Sequence, residues 1–199
     1  MAIASRASCT ALILLFILAP VQARAADALL PIEYDPDSGR MLLEIPALGE
    51  PMIYANTLAT GLGTPSPLLD RGNTGDSALV VFERRGDRVL LIRENPAYRA
   101  ISDNSALIES VRESFPRSVL AALPVIEERA ERVVVDITDF VLSDMHDVAS
   151  RLKAAELGQV KLDADRSHIR GERSAAFPRN TEIRVVLTFS VDELGFVRQ

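Results

Sequence analysis

Cysteine, histidine and lysine are nearly missing from this 199-residue chain, which holds one Cys, two His and only Lys153 and Lys161. A single Cys excludes a disulfide framework, a Cys-based zinc finger and an iron–sulfur site. Two His cannot supply a three-His metal site within one chain. Basic excess is missing too: Lys+Arg 22 against Asp+Glu 28 gives a net charge of −6, the wrong sign for neutralising phosphates. The chain is therefore expected to bind no nucleic acid. No Gly-x-Ser-x-Gly nucleophile elbow occurs. What is present is ordinary for a folded domain, with 48% hydrophobic and 25% charged residues, which excludes disorder and collagen-like classes. The 11 Pro and 10 Gly are spread along the chain, and no repeat or long linker divides it. One domain is expected.

The start reads as a secretory signal. Arg6 is the positive n-region, Ala11–Ala19 the apolar core, Pro20 a helix breaker, and Ala23-Arg24-Ala25 a small-x-small cleavage site. The core is far shorter than the roughly 20 residues that span a bilayer, so no stable membrane anchor is expected after cleavage. Cys9 precedes the apolar core, the wrong side for a lipid-accepting cysteine. Residues 1–25 form the expected signal peptide and residues 26–199 the domain, truncated at its C-terminal end near Phe196-Val-Arg-Gln199. Removing Arg6 and Arg24 leaves 20 basic against 28 acidic residues, or −8, and no cysteine. A periplasmic or secreted bacterial protein is the expectation. Over the full sequence the basic residues are 20 Arg against two Lys, a skew from which no site is read.

The periodicity predicts an α+β fold, with a mostly antiparallel β-sheet and two or three helical segments. Residues 30–34 and 40–45 flank the turn Asp35-Pro-Asp-Ser-Gly39, and 52–58 make a third strand. Residues 78–83 and 89–93 flank a five-residue loop, 84–88, centred on Gly86. Leu107, Ile108, Val111, Phe115, Val119 and Leu123 recur at helical spacing, which predicts two short helices over 103–123 split by Pro116. A strand at 132–137, a helix at 143–153 and a strand at 183–191 follow. Ser143 or Asp144 is expected to cap that helix.

Several clusters resemble chemistry without completing it. Asp136, Asp139, Asp144, His146 and Asp147 offer oxygen and nitrogen ligands for a divalent metal. They straddle a strand end and a helix start, however, where capping accounts for them. Asp163-Ala-Asp165-Arg-Ser167-His168 opens like a calcium loop, but the positions needing Gly and Glu hold His168 and Ser174. An ordinary loop is expected there. Gly61-Leu-Gly63-Thr-Pro-Ser-Pro67 is no phosphate cradle, because Pro65 and Pro67 stop a helix from starting. Arg84, Arg85 and Arg88 make a solvated hairpin tip. No catalytic, cofactor-binding or metal residue is assigned.

Taken in order, Leu42-Leu-Glu-Ile-Pro46, Leu58-Ala-Thr-Gly-Leu-Gly63, Leu69-Asp-Arg-Gly72, Val80-Val-Phe-Glu-Arg84, Val133-Val-Val-Asp-Ile-Thr-Asp-Phe140, Asp163-Ala-Asp-Arg-Ser167 and Ala176-Phe-Pro-Arg-Asn-Thr-Glu182 resemble a known set. They are similar to an uncharacterised N-terminal accessory domain of secreted bacterial zinc-dependent metalloproteases of the metzincin type. The resemblance runs from about residue 30 to 195. It implies a protease domain as partner, in cis in a longer protein, and zinc only in that domain. Its His-Glu-x-x-His-x-x-Gly-x-x-His helix does not occur here, so the chain is expected to be non-catalytic as it stands. The expected role is to pack on or assist the protease domain. Two other roles remain open, a free-standing periplasmic binding or inhibitor-like module and an independent hydrolase with unlocated acids.

Overall fold

A computed structural model describes residues 28–61, 68–129 and 132–191. The expected signal peptide, the Leu62–Pro67 part of the glycine–proline stretch and the terminal Phe196–Gln199 lie outside the described residues.

Alternation builds the first strands. In β1 (Ile32–Asp35) and β2 (Arg40–Ile45), Met41, Leu43 and Ile45 point inward and are buried, while Arg40, Leu42 and Glu44 are half-buried. The turn between them closes through Gly39, whose φ of +71° suits glycine, and Ser38 and Asp37 hydrogen-bond the Asp35 carboxylate. The third strand is short, β3 (Met52–Tyr54), with a single bridge from Thr57 to Thr74 beyond it. Next come β4 (Ala78–Arg85) and β5 (Arg88–Arg93), each carrying consecutive buried residues. The predicted five-residue loop is corrected to a two-residue turn, because Arg84 pairs with Val89 and Arg85 with Arg88. The arginines at this tip are engaged: Arg84 with Glu128 at 2.6 Å, Arg85 with Glu83 at 2.7 Å, and Arg88 with the Ala122 carbonyl at 3.3 Å.

The predicted helix pair over 103–123 is half corrected. Only α1 (Ser105–Ser114) is helical, started by Asn104, whose side-chain oxygen accepts from the Ala106 N–H at 3.0 Å. Pro116 ends it, and Val119 and Leu123 belong to a long strand, β6 (Ser118–Arg129). Residues three or four apart share a helix face, but an apolar run beside an open strand is captured by ladder pairing instead. Strand β7 (Arg132–Asp136) follows, with Val133, Val134 and Val135 all buried.

These seven strands form one curled antiparallel sheet in the order β1-β2-β7-β6-β5-β4-β3. Its main core face gathers Met41, Leu43, Phe82, Val89, Leu91 and Val135. The predicted 143–153 helix is also corrected. A short α2 (Thr138–Val141) precedes it, and α3 (Val148–Ala154) starts later than expected. Asp144 caps α3 from four and five residues back, accepting from the Val148 and Ala149 N–H groups at 2.8 and 2.9 Å.

The rest of the chain covers the core. Strand β8 (Val160–Ile169) pairs antiparallel with β11 (Val185–Val191), and the two-residue strands β9 (Ala175–Ala176) and β10 (Thr181–Glu182) pair between them. The ordinary loop expected at 163–168 is therefore corrected to part of β8, with a bulge at which Val186 pairs with His168 but Thr188 pairs with Asp163. The Tyr34 ring docks on Gly171, where a Cβ would stand only 2.0 Å from the ring. Among the described residues the fold is mainly antiparallel β with three α-helices. Among the described residues no helix is long and apolar enough to cross a membrane.

Candidate functional site

The five residues of the Asp/His cluster are separated by the fold into different tasks. Asp136 ends β7 and joins three elements. Its Oδ2 takes both Arg40 Nε and Nη2 at 2.8 Å, and its Oδ1 accepts from the Thr138 N–H at 2.9 Å and hydroxyl at 2.5 Å. The Thr138 hydroxyl accepts in turn from the Met41 N–H at 2.9 Å. Burial pushes the Asp136 carboxyl up, but the Thr138 and Arg40 contacts outweigh it and hold the group below the usual range. Asp144 is occupied by its cap, and Asp147 takes a left-handed conformation at φ +54° with no capping bond. Asp139 lies in the first turn of α2.

His146 is the exception. It is 9% exposed, and neither ring nitrogen has a hydrogen-bond partner among the described residues. Asn56 faces the same spot: its amide donates to the Met145 carbonyl at 3.2 Å, which leaves its Oδ1 buried and unpartnered. Gly75 makes this approach possible, since a Cβ there would stand 2.0 Å from Asn56 Oδ1 and 3.3 Å from His146 Cε1. Beside them the Tyr54 hydroxyl hydrogen-bonds the Met145 sulfur, and the Tyr54 ring meets Phe140 at 5.8 Å. Burial raises the Tyr54 phenol and lowers the His146 imidazole, the latter also through the nearby Arg151 charge and against the pull of Asp144. At neutral pH the imidazole is therefore uncharged. Among the described residues, no group of three or more His, Cys, Asp or Glu could hold a metal ion.

Asp163 is equally engaged. Its Oδ2 meets Arg166 Nε at 2.9 Å and Nη2 at 2.7 Å, its Oδ1 accepts from the Arg166 N–H, and its carbonyl takes the Ser167 hydroxyl at 2.6 Å. These bonds tie the β8 bulge together and leave no open calcium position. Gly61 is required by proximity, because a Cβ would meet the Arg71 nitrogen at 2.5 Å.

Among the described residues, two open surfaces stand out. One is a groove of about 500 Å³ between β6 and α2, lined by residues 120–124 together with Arg88, Asp136, Asp139, Phe140 and Ser143. The other is the α1 side of the molecule. No residue of α1 is buried, and Tyr98 stacks on Phe115 at 3.8 Å with both rings exposed.

Residues 72–197 match a family described as a domain of unknown function, DUF5117. The chain belongs to that family. The match takes in β4 to β11, hence both open surfaces, and leaves β1 to β3 outside it. No curated protein and no solved structure matches the chain. The family's description assigns no activity, so the site stands on geometry alone.

Sequence reasoning singled out His146 but not Tyr54, Asn56 or Gly75, which come from distant segments and carry no motif. The groove was also missed, although Pro124 in a β-forming run was its one signal.

Proposed function

We propose that the chain is an exported, non-catalytic accessory domain of a zinc-dependent metalloprotease of the metzincin type, packing on or assisting a protease domain outside this chain. The observation that carries the reading is α1. Its Leu107, Ile108 and Val111 lie on one stripe, yet the helix buries none of its residues, and the stacked Tyr98 and Phe115 beside it are exposed. Contiguous apolar surface of this kind marks protein contact. The resemblance names the partner class. The resembling stretches fall mostly in framework: Val80–Arg84 in β4, and Val133–Phe140 across β7 and α2. The carboxylates they contain hold the fold together, as Asp136 does with Arg40 and Thr138. In this reading zinc belongs to the protease domain alone, and the chain works in the periplasm or outside the cell after losing residues 1–25.

The test is the intact mass of the natively exported product, with peptide hydrolysis by purified residues 26–199 in zinc. A larger product carrying a His-Glu-x-x-His domain in continuity, and no hydrolysis by the purified residues, is expected. A mature product without a protease domain, or zinc-dependent turnover by residues 26–199, overturns the reading. A second reading, a free-standing periplasmic binding or inhibitor-like module, is favoured by the groove beside β6. Cooperative unfolding of the isolated mature chain supports it, and broad unfolding counts against it.

A further inference from the structure

From the groove between β6 and α2, we infer that the chain receives an extended peptide segment of another polypeptide, added as a strand along the open edge of β6 and anchored by a basic side chain on Asp139.

Strand β6 is central in the sheet order but is not paired on both sides along its length. Residues 118–124 other than the bulged Leu120 pair with β5, and 125–129 other than the bulged Ile126 pair with β7. Beyond Asp136 the chain leaves the sheet for α2, so among the described residues the edge of β6 facing β7 has no strand beside residues 120–124. The groove lies against this edge rather than against one face. Five consecutive residues, 120–124, line it, whereas a cavity on one face of a pleated strand would touch alternate residues.

Backbone directions agree. The Val125 N–H donates to the Asp87 carbonyl at 2.9 Å, toward the β4–β5 turn. Antiparallel strands alternate, so the Ala122 N–H and carbonyl point the other way, into the groove. The Ala122 carbonyl there accepts from Arg88 Nη1 at 3.3 Å, a side-chain donor standing where a neighbouring strand would present an N–H. Pro124 lies on the same edge, where a residue without an N–H is tolerated. Strand addition to an exposed edge is an established way to bind peptides, with main-chain bonds giving affinity and side chains giving selectivity.

Selectivity follows from the walls. Asp136 is already bound by Arg40 and Thr138, whereas Asp139 has no ion pair or hydrogen bond among the described residues. Phe140 and Leu120 supply apolar walls. At about 3.3 Å per residue, the lining residues 120–124 span ~13 Å, the reach of four to five extended residues laid beside them. The peptide that fits is β-branched and apolar with one Arg or Lys. The inference stands independently of the protease reading, because the groove selects the donor by its extended backbone and basic side chain and not by the domain that carries it.

The experiment is a backbone amide NMR titration of the natively processed chain with an acetylated, amidated Thr-Val-Arg-Val-Thr peptide. Its controls are the same peptide N-methylated at alternate residues, and one with Glu in place of Arg. The expected result is a saturable shift at the Ala122 amide, slowed hydrogen exchange there, and loss of both with the N-methylated peptide. Asp139→Asn should weaken binding of the Arg peptide roughly fivefold and strengthen binding of the Glu peptide, whose repulsion by Asp139 it removes. It is exposed to solvent on the groove and holds no structural bond, so it should fold. No shift at Ala122, equal binding of the N-methylated peptide, or self-association of the chain through β6 without peptide would each overturn the inference.

Discussion

A buried imidazole with two orphan nitrogens is the most consequential single residue in the molecule. His146 is held below the ordinary His range by burial first and then by Arg151, with Asp144 opposing. The unfolded chain binds that proton more readily, so stability rises with pH through this range. The contribution is complete above the ordinary His pKa of about 6.5 and is lost as pH falls toward the lower folded value. The melting temperature should fall more steeply between pH 7.5 and 5.5 for the native chain than for His146→Leu, followed by thermal melts. Equal slopes would remove His146 as the source. At pH 7.5 the Leu variant should lie within ~1 kcal/mol of the native chain, since removing both unsatisfied groups offsets lost shape. Asp136 has the opposite sign. Its lowered pKa means stability present above the usual carboxylate range and lost as pH drops through it. Asp136→Asn should lower the urea midpoint by the equivalent of ~1–2 kcal/mol at pH 7, a figure moderated by the exposure of Arg40. The difference should shrink in acid.

Elements in this protein differ sharply in how much they bury. Strand β7 hides three consecutive valines because both its faces are covered. Helix α1 hides nothing. The cap of α1 is therefore expected to act locally: Asn104→Ala removes the bond to the Ala106 N–H, worth ~1 kcal/mol, and should speed amide exchange in 105–108. Global stability measured by denaturant should stay unchanged, since α1 opens without exposing core. A fall in the global midpoint would show that α1 is coupled to the sheet. Strand β6 lies between these extremes, with Leu123 buried and Leu120, Ala122 and Ile126 exposed. Its two register shifts, at Leu120 and Ile126, bend it from β5 toward β7 and open the edge between them.

At the scale of the whole molecule, one face of the curled sheet is sealed by α2 and the β8–β11 pair, through Phe140, Ile169, Ile183 and Val185. The α1 side is not sealed. Ile53 on the edge strand β3 is 82% exposed and Ile101 before α1 is 99% exposed. If a partner covers α1, a charge there blocks assembly without harming the fold. Leu107→Glu should leave the melting temperature within about a degree, since surface changes cost at most ~0.5 kcal/mol, and should abolish co-purification with a protease domain expressed alongside. Unchanged co-purification would move the contact elsewhere. Ion pairs add little beyond local order: Arg117 joins Glu83 at 2.6 Å and Glu94 at 2.9 Å on the surface.

Alternation and turn chemistry are properties of neighbouring residues, so the sequence by itself determined the β1–β2 hairpin, the strand starting at Arg132 and the end of α1 at Pro116, while it left the helix cap open between Ser143 and Asp144. The match over residues 72–197 likewise follows from sequence alone. Partner choice is not local, and only the tertiary structure decided it. Val119 and Leu123 fit a helix stripe until β5 offers a ladder, and the stretch from Asp163 to His168 reads as an ordinary loop until β11 pairs with it. The Asn56–Gly75–His146 contact joins three segments with no shared period. The β6 edge exists because β7 turns away at Asp136 while β6 continues, a mismatch of lengths that appears once the strands are laid side by side.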